Sequence, residues 1–88
     1  MADAVKTYSG YVLDAIDKIT AALGWLNSAD GDYAIQRDGL PYGDLHNVRH
    51  DLLCRLLGSE QLAYEIGHVL SDSGERIRYV LKQSNLID

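Results

Sequence analysis

His46 and His50 stand at i,i+4, the separation that brings two imidazoles to one side of a helix, and Cys54 continues the row. One zinc ion cannot use all three. Eight residues at 1.5 Å each span about 12 Å, far beyond two metal–ligand bonds of roughly 2 Å. Two members of the row joined by His68 would make a metal set, while the competing reading places His46 beside Leu53 and Leu57 as a histidine at the core edge. Glu65-Ile-Gly-His68 has the Glu-x-x-His spacing of di-metal bundles, which need a second such pair and two more glutamates. The chain has only Glu60, Glu65 and Glu75. His50 with Cys54 would form a thiol–imidazole pair, but no orienting third group or oxyanion donor is evident beside them. Asp30-x-Asp32 starts like a calcium loop and then fails, with Ala34, Ile35 and Pro41 where an oxygen ligand, a glycine and a glutamate belong. Neither a phosphate-binding glycine loop nor a Ser-His-Asp signature occurs. The expectation is no enzyme, no metal and no cofactor.

The aromatic residues are the stronger signal. Six Tyr and one Trp occur with no Phe, a choice that suits half-exposed positions better than a dry core. Trp25 falls outside the apolar stripe of its helix, and Tyr64 and Tyr79 lie opposite the inward faces of theirs. Tyr33 and Tyr42 belong to an aspartate-rich connection with Asp30, Asp32 and Asp38. Tyr and Trp are enriched at the centres of protein interfaces, so these eight residues form the candidate protein-binding set. Arg49 is a further anomaly, set within the Leu45–Leu52–Leu56 stripe, where it either snorkels or finds an acidic partner.

Four helices would position these residues, in an all-α domain. Residues 3 to about 28 carry Val5, Tyr8, Val12, Ala15, Ile16, Ile19, Leu23 and Leu26 at helical spacing. Residues 29–44 hold three glycines, the only proline and four aspartates, and read as a long loop, with Asp38-Gly39 able to turn a very short hairpin. Asp44 caps a helix over about 45–57, with Leu45, Val48, Leu52, Leu53, Leu56 and Leu57 inward. Gly58 ends it, and Ser59 caps the next, about 60–70, with Leu62, Ala63, Ile66, Val69 and Leu70 inward. Asp72 and Glu75 have capping-box spacing for a last helix, about 73–84, with Ile77, Val80 and Leu81 inward and Leu86 and Ile87 closing over the core.

The stretch from Ser59 to Ile87 resembles the helix-turn-helix of bacterial transcription regulators. Ala63 would be the small residue where two helices touch, Gly67 the turn opener, and Ile77 and Val80 the inward face of a recognition helix. The resemblance covers about a third of the chain, and Gly67 to Ile77 is roughly four residues longer than the motif. It implies DNA contacts from Arg76, Arg78 and Lys82, with Tyr79 and Gln83 beside them and the first helix as a dimerisation arm.

Charge and length bound the rest. Eighty-eight residues allow one small domain with little room for a deep cleft. The net charge of −5 is uneven. Residues 1–44 hold seven acids and three bases, a net of −4, and residues 45–88 hold six and five, a net of −1. An acidic face with tyrosines suits a basic protein surface and disfavours DNA or an anionic membrane as a general partner. The start lacks the basic residue of a signal peptide and no apolar run reaches 18 residues, so a cytoplasmic chain is expected. The sequence-based reading is a non-enzymatic inhibitor, adaptor or antitoxin-like regulator that occludes a basic partner, with a homodimer through the first helix also possible. A phage or mobile-element origin fits so short a chain.

Overall fold

The apolar stripes fold as expected, but into five helices among the described residues. The computed structural model describes residues 2–86, with side chains described from Gly10 onward. The elements are α1 (Ala2–Leu26), α2 (Ala29–Asp38), α3 (Tyr42–Leu57), α4 (Glu60–Ser73) and α5 (Ile77–Gln83). Helices α3 and α4 pack on each other and α1 lies against both, while α2 folds back on α1 and α5 closes onto α1 and α4. Ile16, Leu53, Leu70, Ile77 and Leu81 are fully buried at the centre, flanked by Leu13, Ala63, Ile66 and Val80. No helix among the described residues is long and apolar enough to cross a membrane.

From Gly10 onward the stripe residues Ile16, Leu23 and Leu26 of α1 are buried in this single chain, together with Leu13, which the expected stripe did not include. A homodimer through α1 would therefore have to use other residues. The expected stripe positions Val5 and Tyr8, and Ile87 at the other end, lie outside the described side chains. Three residues expected to face the core, Val48, Val69 and Leu86, are exposed instead.

The largest correction concerns 29–44, expected as a loop. Most of it is helical. Ser28 is the N-cap of α2: its hydroxyl oxygen accepts from the Gly31 N–H at 3.2 Å, and its hydroxyl donates to the Trp25 carbonyl. Asp30 and Asp32 occupy the first turn and Arg37 the last, each sign favourable to the helix dipole. Gly39 ends the helix in the left-handed region at φ 68°, its N–H donating to the Ile35 carbonyl. Asp38-Gly39 is thus a helix C-terminus and not a hairpin turn. Gly31 is what lets α2 dock, because a Cβ there would overlap the backbone of Trp25 and Leu26.

Helix boundaries shift for similar local reasons. Helix α3 begins at Tyr42, so Asp44 lies within its first turn and is not its cap. Gly58 and Ser59 act as expected, with Ser59 accepting from the Leu62 N–H at 3.2 Å. Helix α4 runs through Gly67 and ends only at Gly74, which takes φ 69°. Gly67 is therefore no turn opener, and Asp72 still belongs to α4.

The N-terminus of α5 is capped from across the fold. Asp17 of α1 accepts from the Ile77 N–H at 2.7 Å, in place of the expected Asp72–Glu75 box. A charged acceptor on an otherwise unpaired helix N–H contributes about 1–2 kcal/mol. Asp17→Ala should therefore lower stability by about that much, read as a lower urea midpoint with an unchanged slope. Asp17→Asn, which keeps an acceptor, should lose less. An unchanged midpoint in Asp17→Ala would mean the cap contributes nothing.

Candidate functional site

The eight residues of the expected protein-binding set separate into three places. Trp25, Asp30, Asp32 and Tyr33 lie at or near the corner where α1 ends and α2 begins, while Asp38 is the last residue of α2. Trp25 is 53% exposed and Tyr33 63%, large values for aromatic side chains in so small a body. Asp30, Tyr33 and Arg37 share one outward ridge of α2 at i, i+3 and i+7. The Arg37 guanidinium lies 5.3 Å from the Tyr33 ring centroid and makes a two-pronged bond to Asp38 at 2.9 and 2.7 Å. Arg37 holds the Asp38 carboxyl below its usual range. The free acids of this corner are accordingly Asp30 and Asp32. Neither has a cationic partner within 4.0 Å among the described residues, and Asp32 only accepts from the Gln36 amide.

Tyr42 and Tyr64 belong to a second place, an open groove of about 480 Å³ between α3 and α4. Each starts a Tyr-x-x-x-His turn. Tyr42 meets His46 edge-on with ring centroids 4.8 Å apart, and Tyr64 meets His68 in the same way at 4.7 Å. His50 completes the wall, so all three histidines of the chain line one groove. The Tyr42 hydroxyl donates to Asn27 Oδ1 at 2.7 Å and ties the groove mouth to the end of α1.

Arg49 lies at the floor of this groove, only 4% exposed. It resolves the anomaly in the α3 stripe by neither snorkelling nor pairing with an acid. Its guanidinium donates to Thr20 Oγ1 at 3.2 Å, to the Gly67 carbonyl at 3.3 Å and to Ser71 Oγ at 2.8 Å, joining α1, α3 and α4. Every one of these acceptors is neutral. Burial lowers the Arg49 pKa from its ordinary value.

His46 also titrates below its ordinary value, first because it is partly buried and then because Arg49 is close by. A histidine depressed in the folded state is protonated first in the unfolded chain. Its contribution thus removes stability as pH falls through the unfolded value near 6.5 toward the folded one, and is absent above both. His46→Gln should flatten the fall in urea midpoint between about pH 7.5 and pH 5.5 relative to the parent. An equal fall in both proteins would contradict this assignment.

The histidine row and the thiol–imidazole pair take the following positions. Among the described residues no three His, Cys, Asp or Glu side chains are placed to hold a metal ion. His50 Nε2 and Cys54 Sγ lie 3.5 Å apart, one turn along α3. That is the only hydrogen-bond-range contact of the His50 ring among the described residues.

The third place is α5, with Tyr79, Arg78 and Lys82 exposed on it. Arg76 precedes the helix and lines a depression with Asp14, Asp17 and Glu75. The Arg78 guanidinium lies close over Gly10 of α1. Seven residues give α5 about 10 Å of length, roughly two turns.

Sequence reasoning named the residues of the corner, though grouped with Tyr42, Tyr64 and Tyr79, and missed the groove as a unit. The available signal was the twice-repeated Tyr-x-x-x-His, at 42–46 and 64–68, on either side of the misplaced arginine. In comparisons with known proteins, no family model, curated protein or solved structure matches this chain.

Proposed function

We propose that the protein is a non-enzymatic binding module that occludes a basic surface on a partner protein, as a small inhibitor, adaptor or antitoxin-like regulator does. One observation carries this reading: Trp25 and Tyr33 stand more than half exposed beside Asp30 and Asp32, whose carboxylates have no cation within 4.0 Å among the described residues. The aromatic faces supply area to bury, and their polar tips keep hydrogen bonds at the rim. The two free acids steer a positive surface into register and raise the association rate at low salt.

DNA is the alternative occupant, through Arg76, Arg78 and Lys82. The carboxylates around Arg76 and the shortness of α5 favour the protein partner. A pull-down from native lysate, run beside a gel shift at two salt concentrations, separates the two. Trp25→Ala or Tyr33→Ala should weaken the retained protein by about 2 kcal/mol, near thirtyfold, with DNA ignored. Salt-sensitive DNA binding lost in Arg78→Ala and Lys82→Ala would overturn the occlusion reading.

A further inference from the structure

We infer that the α3–α4 groove binds a small oxyanion, either free phosphate or the phosphate group of a small ester, against Arg49 and the three histidines.

The first ground is the sign of the lining. The chain carries thirteen acids and a net charge of −5, yet among the described residues no acid lines this groove, while Arg49, His46, His50 and His68 all do. A protein acidic overall has concentrated its histidines and one buried arginine around a single concavity. The second ground is the uncompensated charge of Arg49. Desolvating a guanidinium is costly, and its three bonds to neutral oxygens offset only part of that cost. An anion in the groove would complete the compensation in a medium where charges interact more strongly than in water.

The neutral polar groups point the same way. Asn27 uses its carbonyl oxygen to accept from Tyr42, which leaves its amide N–H groups as donors. Ser71 accepts from Arg49, so its own hydroxyl hydrogen is free to donate. Asn47 and the Tyr64 hydroxyl add further donors at the wall. A tetrahedral oxyanion accepts from many directions at once and suits such a set. The volume of about 480 Å³ falls within the roughly 300–1,000 Å³ usual for small-molecule sites, and leaves room beside a bare phosphate for an ester group.

The titratable groups facing the groove are His46, Arg49, His50 and Tyr42 from α3, and Tyr64 and His68 from α4. Among the described residues, neutral Asn27, just after the end of α1, also faces it, and Cys54 touches His50 from one turn away.

The test is an NMR titration of the histidine ring C–H signals with inorganic phosphate at one fixed pH of about 7. Sodium chloride at matched ionic strength is the control, and adenosine monophosphate is a second ligand. The expected result is a saturable shift of the His46, His50 and His68 signals. It should be lost in Arg49→Met and at least about fivefold weaker in His68→Gln, with helical circular dichroism retained. Tighter binding of the monophosphate identifies an ester as the occupant, and tighter binding of inorganic phosphate identifies the free anion. Shifts no larger than those from chloride would overturn the proposal, and so would saturable shifts that persist in His68→Gln. The His68 variant decides the matter alone if Arg49→Met does not fold.

Discussion

Gly31→Ala is expected to destabilise the protein by about 2–3 kcal/mol, a large share of the roughly 5–15 kcal/mol typical of a folded domain. The cause is backbone against backbone. An added Cβ would overlap the Trp25 carbonyl and the Leu26 Cα, and would lie 2.8 Å from the Leu26 carbonyl carbon. No side chain can rotate aside to relieve that contact, so α2 must move off α1. Gly43→Ala is the matched control, because it too lies in a helix and meets nothing within 4 Å. There alanine should be neutral or stabilising by up to about 1 kcal/mol. Urea denaturation measures both, and amide exchange shows whether α2 has lost protection. Equal stability in the two variants, with α2 still protected, would contradict the docking described here. Since Asp30 and Tyr33 ride on α2 and Trp25 on α1, the same substitution should also weaken the proposed partner.

Arg49→Ala is expected to cost about 2–4 kcal/mol, whereas Arg49→Met should stay within about 1 kcal/mol of the parent. Both remove the charge and its bonds to Thr20, Gly67 and Ser71. They differ in the stem. Alanine leaves a void between α3 and α4, while methionine fills most of the space that the arginine methylenes occupied. A buried cation held only by neutral acceptors contributes little net stability, so replacing it with an apolar residue of similar length should be tolerated. If methionine were as damaging as alanine, the hydrogen bonds would be the main contribution and Arg49 would be a structural clasp. If methionine is tolerated while the groove loses its anion, the charge itself is what the site uses.

Legibility in the sequence followed the range of each interaction. Helices α1, α3 and α4 were visible because their stripes repeat every three to four residues, and Gly58-Ser59 marked a boundary through purely local capping. Helix α2 was hidden because its composition is polar and its hold on the fold comes from the missing side chain of Gly31. The start of α5 was misplaced because its cap, Asp17, lies sixty residues away in the chain. Arg49 stood out as an anomaly, but its acceptors on two other helices did not. The exposed Trp25, Tyr64 and Tyr79 were readable from helical phase alone, since a residue off the stripe faces outward whatever the tertiary details, whereas Tyr33 sits on a helix that its polar composition concealed. Which of them share a surface depended on how α2 and α4 pack, and no periodicity encodes that.

Site-specific photo-crosslinking in the native cell tests occlusion of a basic protein most directly. A benzophenone amino acid in place of Tyr33 reports on the α1–α2 corner, and the same group in place of Tyr79 reports on α5. The account predicts an adduct between position 33 and one protein with a basic surface, depleted when Asp30 and Asp32 are both changed to Asn. No protein adduct at position 33, with DNA attached at position 79, would contradict it.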